Sequence, residues 1–248
     1  MSTDDGKKRT SSTAARSSAL VTDSAGGARR RSVGIQLGLA AVLVGLIGAI
    51  AFGVTRDKST NDAAPVQPPA VARADGAIRI GSADPKVVVT VVEDFQCPAC
   101  KQFEAAGSAT LTELATGDVA VDYRPIAILN RMSSTNYSTR AAAAAYCVAE
   151  ADIGAWPAWH AAMFAQQPAE GGAGLTDRQI IDIAAAAGIT GDPVAQCITS
   201  NRYGSYADQN TTAATDGGID HTPTVLVDGK EVQSPTPEAL RAAVAAAQ

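Results

Sequence analysis

Cysteine and histidine are scarce in this sequence, with four cysteines and two histidines among 248 residues. Structural zinc sites usually take four cysteine or histidine ligands, often arranged as two close pairs. Here Cys97 and Cys100 form one close pair, but Cys147 and Cys197 lie far apart and neither histidine stands in a zinc-finger spacing. The sequence therefore predicts no metal site, and nothing in it indicates a dissociable cofactor.

Aromatic residues are also few, at 4%, although hydrophobic residues make up 46% of the chain. That hydrophobic fraction is enough to bury the core of one ordinary globular domain. Many of these residues are alanines, so the composition predicts close packing of helices through small side chains rather than a thick aromatic core.

Clusters of basic residues are missing from most of the chain. Residues 1–31 contain seven Lys/Arg against three Asp/Glu, whereas the rest of the chain contains 13 against 22. Proteins that bind nucleic acid need clustered Lys/Arg to neutralise phosphates. The acidic character of the main part therefore argues against a nucleic-acid partner.

Residues 32–55 contain no charged side chain. The run exceeds the ~20 apolar residues that a helix needs to cross a bilayer, and Arg29–Arg31 precede it directly. We therefore expect a single-pass anchor in the cytoplasmic membrane, with the N-terminus inside and the bulk of the chain extracytoplasmic. The alternative is a cleaved signal peptide and a secreted protein, since Ala49–Ala51 resembles a cleavage site.

Composition divides the rest of the chain into three parts. Residues 1–31 are predicted to be a disordered cytoplasmic tail, residues 56–75 a flexible linker, and residues 76–248 the folded domain. Strand patterns at 77–80, 87–92, 119–126 and 224–233 surround a long helical region, and a helix closes the chain. This order predicts an α/β fold.

The segment "EDFQCPACKQF" at 93–103 places two cysteines where a buried strand feeds a helix. Pro98 suits the first helical position, so Cys97 would occupy the N-cap, where backbone N–H groups and the helix dipole stabilise a thiolate. Cys97 is then the predicted nucleophile and Cys100, one turn inward, the resolving thiol. A purely structural disulfide is the alternative, but so short a loop restrains the unfolded chain little.

"VVEDFQCPACKQFE" after a buried strand, with "HTPTVLVDG" downstream, resembles the thioredoxin-fold superfamily and within it the DsbA-like thiol–disulfide oxidoreductases. The resemblance covers residues 76–248. It implies a central mixed sheet flanked by helices, with a helical subdomain inserted at about 133–216. It also implies that Thr222 and Pro223 form a cis peptide bond beside the two sulfurs. Pro98 and Ala99, between the cysteines, would support the same site.

Two positions depart from the family's pattern. Thioredoxins carry a buried Asp six residues before the first cysteine, where this chain has Val91. Glu93 could lie underneath Cys97 as a proton acceptor instead, or it could be a strand-end carboxylate that faces solvent. Strongly oxidising members carry His between the cysteines, where this chain has Ala99.

The remaining cysteines and histidines are outside this motif. For Cys147 and Cys197, we expect a structural disulfide that ties two helices of an exported domain, and two free buried thiols are the alternative. His160 is expected to be a packed histidine rather than a catalytic one. His221, next to Thr222, could tune the thiolate or contact substrate.

These features together predict a membrane-tethered enzyme that introduces disulfide bonds into exported proteins through Cys97 and Cys100. Its substrates would be the thiols of exported proteins, and family analogy implies a membrane quinone-linked thiol oxidase that reoxidises the pair. The same site could instead serve a disulfide reductase or isomerase. A non-catalytic binding or chaperone module is the third alternative.

The absence of His between the cysteines leads to a first prediction. We expect the Cys97–Cys100 pair to be a milder oxidant than the strongly oxidising members, because one source of thiolate stabilisation is missing. Redox titration against glutathione measures this directly. A potential near −120 mV, roughly the strongly oxidising limit, would contradict the prediction.

Overall fold

The computed structural model describes residues 67–248. The predicted tail, the predicted anchor and most of the predicted linker lie outside the described residues. Within residues 67–248, none of the helices is both long enough and apolar enough to cross a membrane. The division of the N-terminal part of the chain therefore stays a prediction.

A mixed sheet forms the centre of the described domain, with the strand order β1-β3-β2-β4-β5. Its strands are β1 (Ile78–Gly81), β2 (Val87–Glu93), β3 (Val119–Pro125), β4 (Thr224–Val227) and β5 (Lys230–Glu231). Strands β2 and β3 are parallel, and the other neighbours are antiparallel. Most β-branched residues of β2 are buried, and Val88 and Thr90 are partly buried, because this strand lies in the middle of the sheet. Asp228 and Gly229, both with positive φ, form the tight turn between β4 and β5 that the sequence predicts.

Seven α-helices complete the described domain. They are α1 (Pro98–Leu114), α2 (Tyr137–Ala151), α3 (Trp156–Ala165), α4 (Asp177–Ala186), α5 (Asp192–Thr199), α6 (Gly204–Asp216) and α7 (Pro237–Ala247). Helices α1 and α7 pack together, and five helices lie between β3 and β4 in the chain. The structure thus confirms the predicted α/β sheet with a helical insertion.

The packing of the insertion follows the composition only in part. Helix α2 carries Ala141–Ala145, and all five side chains are buried because their small size lets α5 and α6 approach closely. The largest fully buried side chains, however, include Trp156, Trp159, Tyr137 and Tyr146. The few aromatic residues are concentrated at the centre of the domain, where composition alone predicts small-residue packing. Aromatic side chains bury a large area each, so a small number suffices to fill this space.

A disulfide joins Cys147 of α2 to Cys197 of α5. The two Cα atoms are 5.8 Å apart, and both residues are buried against the core. The bond closes a loop with a sequence separation of 50 residues, so it links the first helix of the insertion to the fourth.

Removal of this disulfide is expected to destabilise the domain without removing the redox pair. In the chain-entropy description, cross-linking a loop of this length contributes about 4 kcal/mol by restricting the unfolded chain. The Cys147→Ala/Cys197→Ala variant should therefore lose several kcal/mol of unfolding free energy in urea titrations. The Cys97→Ser/Cys100→Ser variant is the matched control. Alkylation of Cys147 and Cys197 in the native, unreduced protein would show that the bond does not form.

Candidate active site

The loop between β2 and α1 is held by the carboxylate of Asp94. One of its oxygens accepts a hydrogen bond from the backbone N–H of Gln96 at 2.8 Å, and the other accepts from Leu129 at 2.9 Å. The carbonyl of Asp94 also accepts from the N–H of Cys97 at 2.9 Å. Burial raises the pKa of Asp94 to about 6. These contacts hold the start of α1 against the end of the sheet.

Cys97 occupies the N-cap of α1, and Pro98 takes the first helical position, as the motif predicts. Cys97 is 7% exposed. Hydrogen bonds from the Cys100 thiol, from the Thr222 side chain and from the backbone N–H groups of Cys100 and Ala99 lower its pKa to about 5. Partial burial opposes this shift and does not overcome it. The sulfur of Cys97 is thus held as a thiolate near neutral pH, which is the form that attacks disulfides.

Cys100 lies one turn further along α1 and is fully buried. Burial raises the pKa of its thiol, and the neighbouring Cys97 raises it further. One sulfur of the pair is therefore a stabilised anion, and the other favours its proton. This asymmetry fits one attacking and one resolving cysteine.

Thr222 and Pro223 lie directly beside the pair, and the peptide bond between them is cis. The Thr222 carbonyl oxygen is 3.3 Å from the sulfur of Cys97. The predicted neighbours of the motif are thus brought together although 125 residues separate Thr222 from Cys97. His221, one residue earlier, is exposed, and its Nδ1 lies 2.8 Å from the carboxylate of Asp220.

The side chain of Gln167 contacts the loop between β2 and α1, and the sequence does not predict this contact. Gln167 follows α3, and its amide nitrogen donates to the carbonyls of Phe95 at 3.0 Å and Cys97 at 2.9 Å. The helical insertion therefore holds the loop between β2 and α1 in place. A single glutamine after a helix carries no sequence signal for such a role, because the contact depends on how α3 packs.

Glu93, the last residue of β2, is completely buried, so the solvent-facing alternative is wrong. Its Oε1 is 2.5 Å from Nε2 of His160, and Nδ1 of His160 is 3.7 Å from Oε2 of Glu104. Burial raises the pKa of Glu93 well above its ordinary value, raises that of Glu104 to about 7, and lowers that of His160 to about 4. His160 is packed, as expected, between aromatic rings that include Tyr123 and Trp156.

One ligand atom from each of Glu93, Glu104 and His160 lies within 4.8 Å of the others. Imidazole and carboxylate groups are ligands for several divalent metals. The sequence argument against a metal considered cysteine and histidine patterns, and it could not anticipate this mixed group. The three residues come from β2, α1 and α3, so only the fold brings them together.

Comparison with known proteins supports the redox interpretation of this site. A protein-family model described as Thioredoxin matches residues 73–246. The structure is similar to oxidised DsbA from Mycobacterium tuberculosis, with 38% identity, a TM-score of 0.60, and coverage of 69% of this chain and 100% of that one. For reduced DsbG from the same organism, the identity is 40%, the TM-score 0.61 and the coverage 69% and 87%.

More distant similarity extends to two other proteins. MdbA from Corynebacterium diphtheriae, a thiol-disulfide oxidoreductase, is 25% identical with a TM-score of 0.58, and the match covers 69% of this chain and 91% of that one. The serine/threonine-protein kinase PknE of Mycobacterium tuberculosis is 33% identical over 128 residues, which are 49% of this chain. The match spans only 22% of the kinase.

The contrast between the two thiols leads to a titration experiment. In the reduced protein, thiolate absorbance at 240 nm should rise with a midpoint near pH 5 from Cys97, and Cys100 should not titrate below pH 9. The lowered folded pKa also means that the reduced protein gains stability, relative to the oxidised protein, as the pH rises from about 5 towards 9. The Cys97→Ser variant should show neither effect. A midpoint above pH 8 in the native protein would contradict the assignment.

Proposed function

Because the chain belongs to the thioredoxin family, and within it to the DsbA-like thiol–disulfide oxidoreductases, we propose that it introduces disulfide bonds into exported proteins. The observation that carries this proposal is the stabilised thiolate of Cys97 beside the buried thiol of Cys100. Stabilisation of the reduced form makes the disulfide form the better oxidant. The stabilised Cys97 thiolate thus supports disulfide donation, rather than disulfide reduction, as the proposed direction.

The proposed cycle begins when a substrate thiolate attacks the sulfur of Cys97. The Cys97–Cys100 bond breaks, a mixed disulfide forms between substrate and Cys97, and Cys100 leaves and takes up a proton. A second thiolate of the substrate then attacks the substrate sulfur of the mixed disulfide. The substrate gains its disulfide, and Cys97 leaves as a thiolate that α1 stabilises. The two electrons now reside on the reduced cysteine pair.

Each supporting residue has a proposed part in this cycle. The Thr222–Pro223 segment offers backbone beside Cys97 to the incoming peptide, and Glu93 exchanges the proton of Cys100. Pro98 and Ala99 shape the first turn of α1. The disulfide between Cys147 and Cys197 holds the insertion and takes no part in exchange.

The location and partners are part of the same proposal. Residues 32–55 would anchor the chain in the cytoplasmic membrane with its N-terminus inside, and residues 56–75 would let the domain reach exported proteins. Cleavage after a signal peptide would release the same domain. A membrane quinone-linked thiol oxidase would accept the two electrons and restore the disulfide.

A trapping experiment tests the role of Cys97. The Cys100→Ala variant should accumulate mixed disulfides with exported proteins, because the resolving thiol is missing. Dithiothreitol should release these proteins, and mass spectrometry should map the bond to Cys97. The Cys97→Ala/Cys100→Ala variant is the matched control and should trap nothing. If Cys97→Ser kept all partner binding and activity, the chain would be a binding or chaperone module.

The direction of electron flow needs a paired assay. The full chain should oxidise reduced ribonuclease when supplied with an oxidant, and it should do so faster than it reduces insulin when supplied with a thiol. The opposite order of rates would identify the reductase or isomerase instead.

A further inference from the structure

Three buried polar side chains meet beneath the redox pair, and not all of their atoms are satisfied. Within the described residues, the second oxygen of Glu93 and both oxygens of Glu104 are buried without a hydrogen-bond partner. Glu93 is 0% exposed and Glu104 4%. Unpaired buried carboxylate oxygens are rare, because leaving water without a new partner is costly. A structural role alone does not account for them.

This group lies on the side of α1 that carries Cys100. Burial and the neighbouring Cys97 are the main causes of the raised pKa of the Cys100 thiol, and the charge of Glu93 adds to them. Glu104 stands four residues after Cys100 on α1, so both side chains are on the same face of the helix. The imidazole of His160 on α3 is between the two carboxylates.

Glu104 is also one of the residues that line a surface cavity of about 160 Å³ between α1 and α3, although both of its carboxylate oxygens are buried. The cavity is lined by Glu104, by its α1 neighbours Lys101 and Ser108, and by Phe164 of α3 among others. Neither Cys97 nor the Thr222–Pro223 segment is among the lining residues.

We propose that His160 and Glu104 form a proton path that connects Glu93 with this cavity and serves Cys100 during thiol–disulfide exchange. The proposal rests on the proposed function, because it assigns a task to residues that support the same redox pair. His160 and Glu104 are positioning residues in this scheme, since they act on Cys100 through Glu93.

When the substrate thiolate attacks Cys97, the Cys100 thiolate leaves and takes the proton of the Glu93 carboxyl group. Glu93 is then an anion and accepts the Nε2 proton of His160. Nδ1 of His160 takes up a proton from Glu104, and water in the cavity restores the proton of Glu104. In the reverse direction, when Cys100 attacks the mixed disulfide, each proton moves the opposite way.

The surroundings keep the three groups in suitable protonation states. Burial lowers the pKa of His160 to about 4, so its ring is neutral at pH 7 and can donate and accept at once. Burial raises the pKa of Glu104 to about 7, which populates both of its forms. Within the described residues, the titratable groups near Glu104 include Glu93, Tyr123 and His160 from the packed elements, and Cys100 and Lys101 from α1 itself. Burial raises the pKa of Tyr123 and keeps it neutral.

The separation between Nδ1 of His160 and Glu104 is 3.7 Å, which exceeds a direct hydrogen bond. A small movement of the Glu104 side chain or one bridging water would close this gap, and Glu104 borders a cavity that admits water. The path from Glu93 therefore reaches the surface only when Glu104 moves or water enters beside it.

Stopped-flow exchange with glutathione tests this path. The experiment measures two reactions: reduction of the oxidised full chain by glutathione, and oxidation of the reduced chain by glutathione disulfide. Both are followed through the fluorescence of Trp159, which packs on Phe95. Glu104→Gln should slow both directions by the same factor, about tenfold. This is smaller than the roughly 10²–10⁴-fold effect of a general acid that acts directly. The equilibrium constant with glutathione should stay unchanged.

The pH profile gives a second readout. After correction for the glutathione thiolate concentration, the reduction rate of the native protein should fall as the pH rises through about 7, because Glu104 loses the proton that it supplies. Glu104→Gln should lack this inflection, and Glu104→Asp should restore it. Glu113→Gln is the matched control, since it is the same change at an exposed position of the same helix.

Several outcomes would overturn the path. Native rates and pH profiles in Glu104→Gln would do so. A changed equilibrium constant with only one direction slowed would show that Glu104 tunes the potential electrostatically. Stoichiometric zinc or manganese in the purified protein, lost in His160→Gln, would show a metal site instead. If the native chain exchanged no disulfides at all, the proposed function would fail along with the path.

Discussion

The negative charge on the Cys97 sulfur is stabilised by groups from α1 and from the loop before β4, and the insertion holds the backbone of the same residue. The backbone N–H groups come from α1, the neighbouring thiol comes from Cys100, and the Thr222 side chain comes from the loop before β4. Gln167 holds the carbonyl of Cys97 from the insertion. A thiolate at a helix N-terminus needs donors in place before it forms. Helix, loop and insertion therefore all serve the placement of one cysteine.

The same arrangement places acidic groups in an apolar interior. Glu93 and Glu104 lie among aromatic rings, where burial favours the protonated carboxyl. His160 separates them and has its own pKa lowered by burial. A buried ionised group without a partner costs more than a buried neutral carboxyl group. Protons near Cys100 are thus stored in groups that can release them without creating a lasting charge.

Sequence alone predicts the parts of this molecule that depend on neighbouring residues. Local patterns and motifs predict the strand before Cys97, the start of α1 at Cys97 and Pro98, and the turn at Asp228. They also predict the sheet with its helical insertion. The contacts of Gln167 and the meeting of Glu104 with His160 depend on how α1 packs against α3. These contacts join residues about 56 to 70 positions apart that share no motif, so only the folded chain brings them together.

The disulfide of the insertion has a consequence for how the protein is made. Each newly made copy has four thiols, and Cys147 and Cys197 must be oxidised for the bond seen here to exist. A chain that catalyses thiol–disulfide exchange is then a client of the reaction that it performs. Under the proposed function, the first copies depend on another oxidant, and later copies can be matured by earlier ones. Production of the enzyme would in this sense be self-reinforcing.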